Sequence, residues 1–149
     1  MSLEITVEGL DEVIAFTEDL PDYIKEEITD ALDRAAKEIA DYARATARVK
    51  TGEYRASIYG YAEGLTIHIG ATAEHAQILE FGTRPHDIFP VYKKALRFEI
   101  EGETVFATHV RHPGTPAYMT ITSAVNFKSD IIPTLVEQAI GEAIIRRDP

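Results

Sequence analysis

Residues 22–47 read DYIKEEITDALDRAAKEIADYARATA, and what this run packs against decides the fold. Its apolar residues Ile24, Ile28, Leu32, Ala35, Ile39 and Tyr42 or Ala43 fall three or four apart, which draws one stripe down a helix. Pro21 is tolerated where such a helix begins. Asp30 with Arg34 and Asp33 with Lys37 are spaced i,i+4 on the wet side, each pair worth a few tenths of a kcal/mol. A helix of about 26 residues is roughly 39 Å long. Its stripe therefore needs a sheet beneath it, a partner helix, or both.

Working outward, Val49-Lys50-Thr51-Gly52 closes the helix, with glycine free to turn left-handed. Ser57–Tyr61 (SIYGY) and Leu65–Gly70 (LTIHIG), joined by Ala62-Glu63-Gly64, predict a hairpin. Glu74–Phe81 predicts a short helix with Ala76 and Leu79 inward and Ile78 the next candidate, ended by Gly82. Ala95–Ile100 (ALRFEI) and Thr104–Val110 (TVFATHV) predict a second hairpin around Glu101-Gly102-Glu103. Residues 117–127 suit helix or strand, and 131–146 form an amphipathic helix through Ile132, Leu135, Val136, Ile140 and Ile144. Upstream, 3–8 (LEITVE) alternate as a short edge strand, and Asp11 caps a short helix through Phe16. Adjacent strands with short turns pair antiparallel. The expected fold is α+β: an antiparallel sheet of two hairpins packed against a long N-terminal helix and a C-terminal helix, in a single domain over 1–149.

Composition narrows the function. The chain has no cysteine, so disulfides and thiolate chemistry are excluded. No apolar run approaches the roughly 20 residues of a membrane span, and the first ten residues lack the basic and apolar regions of a signal peptide, so a soluble chain is expected. Net charge is -10, yet residues 1–44 hold 13 acids and 4 bases while the remainder is nearly neutral. Within that remainder Arg84, Lys93, Lys94 and Arg97 form a basic stretch opposed only by Asp87. An acidic surface argues against gripping DNA through its phosphates. It leaves two readings: solubility, or one subunit's acidic helix lying against a neighbour's basic loop.

Candidate chemistry reduces to histidine. His86 precedes the second hairpin, and His109 and His112 follow it, so the three can meet near Asp87 or Glu80. That is the best metal or acid–base set in the chain, and it supports a metal-dependent enzyme as an alternative. Against it, Pro85, Pro90, Pro113 and Pro116 shape two rigid loops where histidines also serve as hydrogen-bond donors, and the spacing lacks a defined ligand pattern. His68 alternates with Ile67 and Ile69 and points away from the core. Ser57, Ser123 and Ser129 have no nucleophile-elbow context, and no glycine-rich phosphate loop is present. Tyr59 and Tyr61, two apart, suit one face of a sheet. No cofactor is implied.

Three segments then line up in order. Val49-Lys50-Thr51-Gly52-Glu53-Tyr54-Arg55-Ala56-Ser57-Ile58 follows the long helix. His75-Ala76-Gln77-Ile78-Leu79-Glu80-Phe81-Gly82-Thr83 comes next, with Arg84-Pro85-His86-Asp87-Ile88 behind it. Val110-Arg111-His112-Pro113-Gly114-Thr115 is the third. From about residue 20 to 145 this resembles the neck or tail-completion proteins of long-tailed bacteriophages, the family typified by gene product ten of the lambdoid HK-type phage. Its pattern is a helix, "TG-x-L/Y-R-x-S", "Y-A-x-x-x-E-F-G-T", a "P-H-x-I" loop, a hairpin and "H-P-G". His75 departs from the family's usual tyrosine, and Pro116-Ala117-Tyr118-Met119 from its usual aromatic "P-F-L/M".

The resemblance implies assembly rather than catalysis: a structural protein of the head-to-tail connector or tail, joined to itself in a ring and to neighbouring connector or tail proteins, with DNA passing nearby, in the virion after assembly in host cytoplasm. Thr51, Gly52, Arg55, Ser57, Ala76, Glu80, Phe81, Gly82 and Thr83 are then structural, with Phe81 in the core and Glu80 bonding locally. Arg84, Pro85, His86, Asp87, Lys93, Lys94, His112, Pro113 and Gly114 form the assembly handle, and Asp30 and Asp33 its acidic counterpart. A small dimeric binding module, paired through its long helix, is the remaining alternative.

Overall fold

The computed structural model describes residues 3–7 and 20–146; the short helix expected at 11–16 lies outside them. In chain order the elements are β1 (Leu3–Val7), α1 (Asp22–Thr46), α2 (Glu53–Ser57), β2 (Ile58–Glu63), β3 (Thr66–Ala71), α3 (Ala76–Phe81), β4 (His86–Ile88), β5 (Leu96–Ile100), β6 (Glu103–Ala107), β7 (Val110–His112), α4 (Thr120–Lys128) and α5 (Ile131–Ile145). The expected α+β class holds, and the stretch open to either reading at 117–127 is helical from Thr120.

The stripe on α1 meets two layers at once. One side packs on β2 and β3, and the other on α4 and α5. Ile24, Ile28, Ala31, Leu32, Ala35, Ala36, Ile39, Ala40 and Ala43 are all buried, a broader band than one covered face requires. The alanines let the sheet come close. A Cβ on Gly60 of β2 would sit 2.3 Å from the Ala36 carbonyl oxygen. The closing helix therefore covers α1 rather than the sheet. Glu38–Lys128 and Glu27–Arg146 pairs and a Tyr42–Phe127 ring stack at 5.0 Å hold that side.

The sheet has three antiparallel strands in the order β1–β3–β2, with Ile5 opposite Ile69 and Gly60 opposite Ile69. Ile58, Ile67 and Ile69 fill the core. Tyr59, Tyr61 and His68 stack on the outer face, where Glu4 bonds His68 at 2.6 Å and Tyr59 at 3.2 Å. The exposed edge of β2 is occupied by α1 side chains. Arg44 donates twice to the Ile58 carbonyl, at 3.1 and 2.7 Å, and the Asp33 carboxylate accepts the Ala62 N–H at 3.1 Å. Filling edge groups in this way keeps foreign strands from adding there.

The second hairpin forms in the expected place but does not join the sheet. β5 and β6 make their own two-stranded ribbon, with Phe98 opposite Val105. The second strand stops at Ala107, so Val110 begins β7 and pairs with β4 in a further ribbon. Among the described residues, none from 84 to 112 belongs to the core or packs against it.

Candidate functional site

The glycine after α3 is where core gives way to ribbon. Gly82 adopts φ 70° and Gly114 φ 92°. Between them the chain crosses itself: Thr83 and Thr115 exchange backbone hydrogen bonds at 2.9 and 3.2 Å, and the Thr83 hydroxyl also accepts the Thr115 N–H at 3.0 Å. A Cβ on Gly82 would lie 2.5 Å from the Thr115 oxygen, and one on Gly114 2.3 Å from the Thr83 oxygen. Only glycine permits that approach. The "E-F-G-T" and "H-P-G" segments are therefore two halves of one clasp.

Two expectations about this segment are reversed. Phe81 is 59% exposed, and Glu80 is fully buried. Glu80 does not bond locally; its carboxylate reaches α4, accepting the Ile121 N–H at 3.1 Å and the Thr122 N–H at 2.7 Å. The reason lies at residue 119. Met119 occupies the N-cap position of α4 with φ 48° and has no acceptor to offer the first-turn N–H groups. Glu80 supplies the cap from another helix, where a negative charge also meets the positive end of the dipole. Tyr54 is buried as well and donates to Glu80 at 3.4 Å. Burial, then the Glu80 charge, pushes its phenol up to about 12. Ile78, the third expected inward residue of α3, is exposed.

The "T-G" segment is likewise structural. Gly52 turns at φ 87° ahead of α2, the Thr51 hydroxyl accepts the Glu53 N–H at 3.4 Å, and Ser57 donates to the Tyr54 carbonyl at 2.8 Å. Ala76 is buried, while Arg55 is exposed without a partner among the described residues.

Of the handle residues, His86, Asp87 and His112 lie on the β4–β7 ribbon, and Lys93 and Lys94 lie on the segment leading into β5. His86 lies opposite His112 with the rings 5.1 Å apart, and Asp87 lies opposite Arg111. His86 and His112 face each other on one ribbon and His109 lies just before its second strand, but the three do not form one site. His86 Nδ1 donates to the Arg84 carbonyl at 2.9 Å, and His112 Nδ1 accepts the Gly114 N–H at 3.0 Å. His109 instead bonds Asp87 at 2.9 Å and stacks on Phe89. Among the described residues no three histidine, aspartate or glutamate side chains are grouped to hold a metal. This arrangement does not gather the triad that the metal reading needs.

Arg84, Pro85, Lys93 and Lys94 are exposed, and Pro113 and Gly114 sit in the clasp. Next to Lys93 and Lys94 in the chain lies apolar surface that charge patterning did not reveal, Phe89, Val91 (82% exposed) and Tyr92 (97%), and Phe106 (67%) stands opposite Arg97. The acidic counterpart is split. Asp30 is exposed, and the expected Asp30–Arg34 pair is not made. Asp33 is committed within the chain to Lys37 and the Ala62 N–H, which lower its pKa in that order. A concavity missed in the sequence is an open cleft of about 530 Å³ between the Arg48–Tyr54 loop, His75, Leu79 and Tyr118. Its only sequence signal was the pair of cations flanking Val49. Among the described residues no helix is long and apolar enough to cross a membrane.

Residues 11–82 match the family model of the HK97-gp10-like proteins, described as "Bacteriophage HK97-gp10, putative tail-component". The expected resemblance is thus shown over a span that runs through α1, the sheet hairpin and α3 to the clasp glycine. No curated protein and no solved structure matches the chain. The match points to a structural protein of a phage tail and weighs against an enzyme.

Proposed function

We propose that this chain is an assembly protein of the head-to-tail connector or tail, joining copies of itself in a ring or at a joining surface and meeting neighbouring tail proteins. The observation that carries the reading is the pair of ribbons from 84 to 112. They add nothing to the core, yet the stretch displays Phe89, Val91 and Tyr92 beside Lys93 and Lys94, and Phe106 opposite Arg97. An isolated two-stranded ribbon is marginal in water, and apolar side chains clustered beside cations mark a surface that is covered in use. The Thr83–Thr115 clasp ties both ends of this stretch together.

A ring uses heterologous contacts, in which one patch meets a different patch on the next copy. The basic base of the ribbons and the acidic N-terminal half of α1 are two such patches. Asp30 and Glu26 are exposed there without an ion-pair partner among the described residues, whereas Asp33 contributes only its field. An acidic wall facing a lumen lets DNA pass without capture. On this reading the working protein belongs to the virion, reached from the host cytoplasm where phage parts assemble.

The test is mass by light scattering over a concentration series, followed by charge reversal. Wild type gains mass with concentration. Lys93→Glu with Lys94→Glu loses that gain, and mixing with Asp30→Lys recovers it. A fixed monomer at all concentrations defeats the reading of self-assembly.

A further inference from the structure

We infer that the cleft between the Arg48–Tyr54 loop and Tyr118 receives the acidic turn Glu99–Glu103 of a second copy of this chain. The inference rests on the self-assembly reading and names a contact within it. The cleft holds two cations, Arg48 and Lys50, against one carboxylate, Glu53. Neither cation forms an ion pair among the described residues. The Arg48 guanidinium lies over the Tyr118 ring at 4.5 Å, a cation–π contact that fixes its position and leaves its N–H donors for an anion. Val49, Leu79 and Tyr118 supply an apolar wall beside them. A cleft of about 530 Å³ falls within the roughly 300–1,000 Å³ that holds a compact ligand.

The chain carries the matching shape at the far end of its second ribbon. Glu99, Glu101 and Glu103 are exposed around the tip with no cation between them, and none is paired among the described residues. Ile100, half exposed, sits opposite Glu103 and offers an apolar contact beside the charges. The turn itself is stiff: Glu101 and Gly102 both have positive φ, 51° and 86°, the conformation of a tight two-residue hairpin turn. A preformed turn loses little freedom on docking. Among the described residues no hydrogen bond or ion pair joins turn and cleft within one chain, so each is left for another copy. Turn into cleft is also a contact between unlike patches, the kind that continues from copy to copy.

Double reversals separate the possibilities. Arg48→Glu with Lys50→Glu makes turn and cleft both acidic; Glu101→Lys with Glu103→Lys makes both basic. All four positions are exposed, and circular dichroism confirms that each variant folds. Each alone self-associates about 100-fold more weakly than wild type. An equimolar mixture regains wild-type assembly with the two variants alternating, because every turn then meets an opposite cleft. The absence of cysteine permits a second readout: Val49→Cys mixed with Glu103→Cys gives a cross-linked pair under mild oxidation, and Val49→Cys with Glu137→Cys does not. Variants that each assemble as wild type overturn the turn-in-cleft contact and leave self-assembly standing. A wild type that stays monomeric, with no selective cross-link, overturns both. An assembly rescued by Asp30→Lys and Lys93→Glu mixtures but not by these assigns the interface to the ribbon base instead.

Discussion

Replacing Glu80 tests whether the buried carboxylate is a helix cap supplied from a distance. It accepts two first-turn N–H groups of α4, at 3.1 and 2.7 Å, and is fully buried. Hydrogen bonds to a charged group are each worth about 1.5–3 kcal/mol, and an orphaned buried donor costs about 1–3 kcal/mol. Glu80→Ala removes both acceptors and leaves a void, for a loss of about 3–5 kcal/mol. Thr122 is only partly buried, so water relieves one of the two donors and favours the lower half of that range. Glu80→Gln is nearly isosteric but keeps one acceptor and turns an NH₂ toward the second N–H. It should cost about 2–3 kcal/mol, which in a chain of this size is a fall in Tm of about 4–12 °C. Urea unfolding followed at 222 nm gives the stability. Hydrogen exchange gives the location, since the Ile121 and Thr122 amides should lose protection before the rest of α4. A Glu80→Gln protein within about 0.5 kcal/mol of wild type, with both amides still protected, would refute the capping role.

Three further outcomes follow from other contacts. Gly60→Ala drives a Cβ to 2.3 Å from the Ala36 carbonyl, a clash between main chains that cannot swing aside; it should cost about 3 kcal/mol, at the upper end of ordinary overpacking, read as a lowered urea midpoint. Gly114→Ala combines φ 92° with a 2.3 Å approach to the Thr83 oxygen, so the clasp should open. Exchange at the Thr83 and Thr115 amides should rise while global stability changes by less than about 1 kcal/mol, because the ribbons lie outside the core. Tyr54 should be the last phenol to ionise: its pKa is raised from 10 to about 12, first by burial and then by Glu80. Raised above its unfolded value, it gives stability that is complete below pH 10 and lost as pH climbs to 12, at most about 2–3 kcal/mol. Absorbance at 295 nm should show a last, late phenol that Tyr54→Phe removes.

Periodicity made the helices legible. The α1 stripe, the α5 stripe and the hairpin turns are local signals; α1, α5 and the first hairpin formed within a residue or two of their expected bounds, whereas the second hairpin's closing strand, expected to reach Val110, ends at Ala107. Periodicity says which face is apolar but not what covers it. Leu96, Phe98 and Ile100 alternate like a packed strand, yet the ribbon they build stands clear of the core. Hydrophobicity misplaced Phe81 and Glu80 for a related reason: residue scales put phenylalanine inside and glutamate outside, and the need that reversed them belongs to α4, some 40 residues on. Asp33 read as a solvated charge because its Lys37 partner is local, while the Ala62 N–H it also holds is on another element.

The clasp explains why the order of motifs carried more information than any one of them. Thr83 and Thr115 are 32 positions apart, and each supplies backbone groups that the other requires. Gly82 and Gly114 are needed together, since a Cβ on either meets the partner's main chain. The "E-F-G-T" segment thus does two jobs in four residues: Glu80 fastens α4 to the core, and Gly82-Thr83 fastens the ribbons to the same point. The matched family span ends at that glycine. Up to it the residues answer to burial; beyond it, Phe89, Val91, Tyr92 and Lys93 are exposed side by side, with no packing reason within one chain. The core sets where the ribbons stand, and on the proposed reading a neighbouring molecule is what covers their surface.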